Sequence, residues 1–193
     1  MNFNNFNDMI QSLMTKTAWF LRLYIIQYKY LLIFIAAFVL LYIFFMHWLN
    51  VKFLNKLRQP AALISLAVEL VAIASFTLLF REAGSYHTYE LELFWSYRLW
   101  IFGKNIALGM EILNNILLFF PLGFVLTDAL KKCPFWAVLL ISGAISCTIE
   151  FSQFYFKIGL FEFDDIFNNV LGALIGWCVF HILRSLRRKR RKN

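Results

Sequence analysis

The chain has 193 residues, of which 61% are hydrophobic, 19% aromatic and only 16% charged, with a mean hydropathy of +0.67. That composition excludes an ordinary soluble globular domain, and with it most soluble enzymes. The formal charge of +8 does not mark a nucleic-acid binder, because Arg184, Arg187, Arg188, Lys189, Arg190, Arg191 and Lys192 carry seven of the charges and confine the excess to a C-terminal tail.

Residues 1–29 mix Phe3, Phe6, Ile10, Leu13, Trp19, Leu23 and Ile26 with Asn, Lys and Arg, a pattern that suits an amphipathic helix lying in a membrane interface. No secretory cleavage pattern is visible there, so the segment is expected to remain in the mature protein. About 20 apolar residues are needed to cross the hydrocarbon core as a helix. Five segments qualify, approximately 30–49, 61–80, 110–128, 135–156 and 166–184. The fold class expected is therefore all-α, a polytopic transmembrane bundle. Its parts are an N-terminal amphipathic segment plus one extra span (1–60), a four-span domain (61–184) and a basic tail (185–193).

The positive-inside bias orients the chain. Lys52, Lys56 and Arg58, then Lys131 and Lys132, then the C-terminal tail all fall on one side, expected to be cytoplasmic. The tail also suits attraction to anionic lipid. The connections 81–109 and 157–165 then face outward, with charges near balance or acidic. Lys16, Arg22 and Lys29 conflict with this assignment. The 81–109 loop, with Trp95, Tyr97 and Trp100, reads either as an interfacial or re-entrant element or as a lid.

Charged groups inside a membrane cost about 2.5–3.5 kcal/mol each on insertion scales, so each one needs a reason. Glu111, Asn114 and Asn115 open the third segment, Glu150 and Gln153 close the fourth, and Asp164, Asp165, Asn168 and Asn169 open the fifth. All belong to one layer on the outward side. Glu111 with Asn115, Glu150 with Gln153, and Asp165 with Asn169 stand three or four residues apart, so each pair shares a helix face. The spacing predicts a polar cavity between helices. For Asp164 and Asp165 a helix-capping role competes, and for Asn114 and Asn168 a simple interhelical hydrogen bond does. Gly172 and Gly176 form a GxxxG pair that continues the polar face of Asp165 and Asn169 into a close-packing seam. Pro121 and Gly123 are expected to bend the third segment, and Gly143 with Ala144 offers a further close approach.

Other chemistry-bearing residues are scattered. His47, His87 and His181 are isolated from one another, and Cys133, Cys147 and Cys178 lack metal-ligand spacing and the pattern of a disulfide framework, so neither a metal nor another cofactor is expected. Glu69, near the middle of the second segment, pairs with an amide or marks a protonation site; the sequence leaves both open.

Three stretches carry a family resemblance. Asn115-Ile116-Leu117-Leu118-Phe119-Phe120-Pro121-Leu122-Gly123 resembles the N-x-x-x-F-x-P-x-G signature of VanZ-like membrane proteins. Glu150-Phe151-Ser152-Gln153-Phe154 resembles the E-x-x-Q-x element of that family, and Asp164-Asp165 through Asn169, Gly172 and Gly176 resembles its D-D-x-x-x-N-x-x-G-x-x-x-G block. The motif-bearing region covers about residues 91–177. It implies a shared core of Asn115, Pro121, Gly123, Glu150, Gln153, Asp165, Asn169 and Gly172. Many relatives have Arg where Leu160 follows Gly159, and Asp at Glu162. The departure weakens the case for an anion site. The resemblance implies a link to teicoplanin resistance and no reaction.

The expected function is a non-enzymatic envelope protein that binds a membrane lipid or lipid-linked cell-wall intermediate at Glu111, Asn115, Glu150, Gln153, Asp164, Asp165 and Asn169. The rival is an integral-membrane enzyme acting on the lipid headgroup, with Glu150 as acid or base and Asp164 and Asp165 holding a cation or positioning substrate. A proton-coupled flippase using Glu69 and Glu150 is a third reading.

Overall fold

A computed structural model describes residues 41–42, 52–79, 81, 83–131 and 133–190. All belong to one compact unit, Val39–Asn193. The amphipathic reading of 1–29 and most of the first apolar segment lie outside the described residues; Leu41 and Tyr42 are helical.

Helix α1 spans Lys52–Ala74 and runs on as a π-helical turn, Ser75–Leu79. A short strand β1, Thr88–Glu90, and a short helix α2, Trp95–Ile101, follow. Helix α3, Ile106–Ala129, starts where the Asn105 side chain accepts from Ala107 N–H at 3.1 Å and Leu108 N–H at 3.4 Å, an ordinary N-cap. Helix α4, Phe135–Phe156, begins directly after Pro134, which is already in extended backbone, and ends in a left-handed Lys157 (φ 56°). Strand β2, Leu160–Glu162, leads into α5, Phe163–Arg190.

Among the described residues, four helical stretches are long and apolar enough to cross a membrane: Leu57–Leu79, Ile106–Ala129, Phe135–Phe156 and Phe163–Lys189. This is a membrane protein with an all-α bundle. Its large apolar side chains point outward as well as inward: Leu63, Ile64 and Val71 on α1 and Trp136, Leu140 and Phe151 on α4 are exposed, as lipid-facing residues must be. At 28 residues, α5 is about 42 Å long. That exceeds the hydrocarbon core by more than two turns and lets the helix carry its arginines clear of the apolar layer.

The core lies where α3 meets α5. A Cβ placed on Gly172 would stand 2.1 Å from the Ile116 carbonyl oxygen, on Gly176 2.1 Å from Phe120 O, and on Gly123 1.8 Å from Ala173 O. Backbones touch along this seam, and any larger side chain would force the helices apart. Gly143 behaves otherwise, since its Cβ would meet only Val170 Cγ2 at an ordinary 3.8 Å. Helix α3 passes through Pro121 as one uninterrupted helix, tolerated because membrane helices can re-satisfy the freed carbonyl locally.

The loop after α1 is clasped rather than loose. Strands β1 and β2 pair in parallel, with Thr88 opposite Leu160, Tyr89 opposite Phe161 and Glu90 opposite Glu162. Gly84 N–H donates to Lys157 O at 2.6 Å, and the His87 ring nitrogen Nδ1 lies 2.8 Å from Phe154 O. The loop is thereby bound across the connection between α4 and α5.

At the opposite end, Asp128 closes α3 with a full set of donors. Arg58 Nε lies 2.9 and 3.1 Å from its two oxygens and Nη2 2.5 Å from Oδ1, while the Tyr42 hydroxyl donates at 2.6 Å. Gln59 Nε2 adds a bond to Ala129 O at 2.6 Å. These contacts tie α1 and the helical turn at Tyr42 to the end of α3.

Candidate functional site: an acidic cluster at the ends of four helices

The end of α1, the start of α3, the end of α4 and the start of α5 share one end of the bundle, and their polar residues meet there. Asn115 Nδ2 donates to Asp165 Oδ1 at 2.6 Å, joining α3 to α5. Asn169, one turn further along α5, donates through Nδ2 to Ser146 Oγ of α4 at 2.9 Å. Glu150 Oε2 accepts from the backbone N–H of Glu162 at 3.0 Å. Gln153 Nε2 donates to the Thr77 carbonyl at 3.1 Å, within the π-helical turn that ends α1. π-turns displace carbonyls from the regular ladder and recur at functional positions.

Asp164 has a different task. Its Oδ1 accepts from Phe94 N–H at 2.5 Å, and Oδ2 accepts from Ser96 N–H at 2.9 Å and Ser96 Oγ at 2.5 Å. It caps α2, a helix some 70 residues earlier in the chain, and not its own helix as the capping alternative had it. The Phe94 backbone is left-handed (φ 65°) where it meets this carboxylate. Next to it the Tyr97 hydroxyl donates to Asn168 Oδ1, and burial with the nearby Asp164 charge pushes the phenol upward from its ordinary range. Asp164 and Asn168 therefore hold the loop helix in place.

The remaining carboxyls crowd one another. Glu162 is pushed up to about 8 from an ordinary 4.5, first by burial and then by the like charges of Asp165, Glu111, Glu150 and Asp164. Residues drawn from three connected elements thus lie within electrostatic range of one carboxyl. Among the described residues no three His, Cys, Asp or Glu side chains converge closely enough to hold a metal ion.

Among the described residues, several amide atoms in and beside the cluster are buried with no protein partner. They are Gln153 Oε1, Asn169 Oδ1, Asn168 Nδ2 and both side-chain heteroatoms of Asn114. The interhelical bond expected as one reading of Asn114 is thus not seen among these residues. The orientation of Gln153 is fixed by chemistry, because the Thr77 carbonyl can only accept and must face the NH₂ group. Its oxygen points toward Gly159: a Cβ there would lie 2.9 Å from Gln153 Oε1 and 2.7 Å from Arg81 Nη1. Gly159 leaves room for both groups.

Arg81 and Glu162 were not among the site residues expected from sequence, where Glu162 figured only as a departure from the family pattern. Arg81 looks like an ordinary charge just after a span, yet it lies within electrostatic range of Glu150 and Asp165 and against Gly159. The structure therefore sets a guanidinium from a different element beside Gly159, next to Leu160, where the family resemblance leads one to expect an Arg. Glu162 neighbours the Asp164-Asp165 pair, and that adjacency was the available signal. Glu69 stays apart; it is 2% exposed and has no hydrogen bond or ion pair among the described residues, so the amide pairing proposed for it is not seen there.

Comparison with known proteins bears on the whole bundle. Over 66 residues the chain is 30% identical to a protein named Protein VanZ from Enterococcus faecium, a stretch that is 34% of this chain and 41% of that relative. The chain thus matches well under half the length of that protein. No solved structure gives a significant match. The VanZ/LLP1 family model matches residues 32–184, reaching beyond the motif-bearing region on both sides and taking in three of the described spans and most of the fourth, and the chain therefore belongs to the VanZ/LLP1 family.

Proposed function

We propose that this chain is a bacterial envelope protein whose acidic cluster faces outward, receives the headgroup of a membrane lipid or lipid-linked cell-wall intermediate, and thereby changes sensitivity to lipoglycopeptides such as teicoplanin. The observation that carries this reading is the buried, unpartnered Gln153 Oε1 set among crowded carboxyls at the membrane-surface end of the helices. Buried polar atoms are nearly always paired in folded proteins. An orphaned acceptor beside a cluster of carboxyls is what a site awaiting a ligand looks like.

Orientation rests on the basic residues. Arg58, Lys131 and the arginines of the tail share the end opposite the acidic cluster, which the positive-inside bias makes cytoplasmic. Single cysteines at positions 162 and 190 in a cysteine-free background should react with an impermeant maleimide from opposite faces of intact cells. Labelling of both from outside would overturn the outward placement.

Growth inhibition by teicoplanin, compared in strains lacking and overproducing the protein, tests the phenotype; an identical response in both removes that half of the proposal. Retention of lipid by the purified protein tests the binding half. Turnover of labelled polyprenyl phosphates or phospholipids, abolished by Glu150→Gln, would replace binding with catalysis.

A further inference from the structure

The hydrogen bonds around Gln153 leave acceptors open. Asn115 Nδ2 donates to Asp165, Gln153 Nε2 to Thr77 O and Asn169 Nδ2 to Ser146. Gln153 Oε1 and Asn169 Oδ1 are buried without partners, beside the carboxyls of Glu150, Asp165 and Glu162. Gln153 is 1% exposed and its orphaned oxygen is aimed at the gap over Gly159. At Gln153 Oε1 itself an acceptor would meet only another acceptor. A group with several N–H donors and a positive charge would meet both needs, and a primary ammonium has three such donors and no acceptor.

Arg81 supplies the second half. It is exposed, its Nη1 borders the same gap, and it forms no ion pair within 4 Å among the described residues. A guanidinium in that position matches a phosphate in a forked, two-bond geometry. Arg81 Nη1 and Gln153 Oε1 border the same space over Gly159, so a headgroup that enters it meets an acceptor and a guanidinium together.

We propose that the ligand is an aminophospholipid, its primary ammonium received by Gln153 Oε1 with the Glu150 carboxyl and its phosphate held by Arg81. This rests on the lipid-binding reading above and narrows it to one headgroup chemistry.

The test uses the full-length protein in detergent, titrated with phosphatidylethanolamine, phosphatidylcholine and phosphatidylglycerol of identical acyl chains and with water-soluble glycerophosphoethanolamine. Bound lipid is counted by native mass spectrometry. Phosphatidylethanolamine should bind about tenfold more tightly than phosphatidylcholine, whose quaternary nitrogen has no N–H to donate. Gln153→Leu should reduce that ratio to near one. Arg81→Gln, at an exposed site that cannot unfold the core, should weaken all three phospholipids while leaving the ratio intact.

Equal binding of the ethanolamine and choline lipids, or a preference for phosphatidylglycerol, would overturn the headgroup assignment and leave lipid binding standing. Arg81→Gln binding as tightly as the wild type would overturn the phosphate contact. Glycerophosphoethanolamine binding as tightly as the lipid would move the ligand out of the bilayer. If no phospholipid is retained, the aminophospholipid assignment fails; if a polyprenyl-linked lipid added in the same assay is not retained either, the lipid-binding reading itself fails.

Discussion

Asp128 and Asp165 are both carboxylates at helix ends in the same bundle, and they are treated in opposite ways. Asp128 is buried and closed by donors: a guanidinium forks across it and a tyrosine hydroxyl completes the set. Asp165 receives one amide bond from Asn115 and otherwise faces other acidic groups, with Arg81 nearby but not paired to it. A carboxylate kept for stability is surrounded until its charge is satisfied. One kept for a ligand is left short, and the fold has to hold it in place by other means. Here those means are the glycine seam of α3 and α5 and the clasp of β1 on β2.

The harshest way to break this contrast is to remove the support common to both ends. Gly172→Leu drives a side chain against the Ile116 carbonyl and should cost about 3 kcal/mol or more, with lipid retention and the folded state lost together. Thermal melting in detergent reads the first and native mass spectrometry the second. Retained stability would mean that α3 and α5 can separate freely.

Substituting the two aspartates separates the ends. Asp128→Ala strands Arg58 and should cost about 2–3 kcal/mol, below the fully buried range because the Arg58 side chain is 30% exposed. Lipid retention by the molecules that remain folded should not change. Asp165→Asn should do the reverse: an unchanged or higher melting temperature with retention lost, the usual signature of a site strained for function. The same loss of stability in both variants would erase the distinction.

A smaller effect comes from pH. Glu162 keeps its proton in the folded protein up to about pH 8, whereas in the unfolded chain it ionises near its ordinary 4.5. The folded state therefore binds more protons, and stability falls as pH rises through that window and is flat below it. Glu162→Gln should flatten the slope and be about 1 kcal/mol more stable at pH 8, a figure well below full linkage because the side chain is partly solvated. At pH 4 the two proteins should melt alike. A slope unchanged in the variant would assign the pH dependence to other groups.

The finest probe is Asn169→Ala. It removes an interhelical bond that averages only about 0.6 kcal/mol in membrane proteins, so lipid retention should fall far more than melting temperature. Proportional losses would make Asn169 a packing residue.

Much of the bundle is legible in the sequence because apolar run length reports a membrane helix directly. The segment 135–156 coincides with α4, and 61–80 and 110–128 lie within a few residues of Leu57–Leu79 and Ile106–Ala129. Helix α5 begins earlier than its apolar run, since Asp164 and Asp165 occupy its first turn. Shared helix faces also point to Asn115, Glu150, Gln153, Asp165 and Asn169 meeting near one end, because three- and four-residue spacing is geometry the sequence carries. What it does not carry is partnership over long separations. Asp164 finds Ser96 and Gln153 finds a backbone carbonyl in a π-turn, and neither leaves a periodic trace. The strands Thr88–Glu90 and Leu160–Glu162 are too short for an alternation to show. Arg81 carries no local mark, since its position depends on where the clasp brings the loop.

The clasp also sets an order of assembly. Phe94 and Ser96 lie about 70 positions ahead of the carboxylate that receives their N–H groups, and β1 precedes its partner strand by a similar stretch. A ribosome adding 5–20 residues each second needs roughly 4–14 s to cover that stretch. Throughout that interval the first spans can already lie in the bilayer while the loop waits, unclasped, for α4 to be inserted and α5 to begin. The acidic end therefore cannot mature before α5 has begun, and a nascent chain halted before Phe163 would present its loop to proteases at the membrane surface.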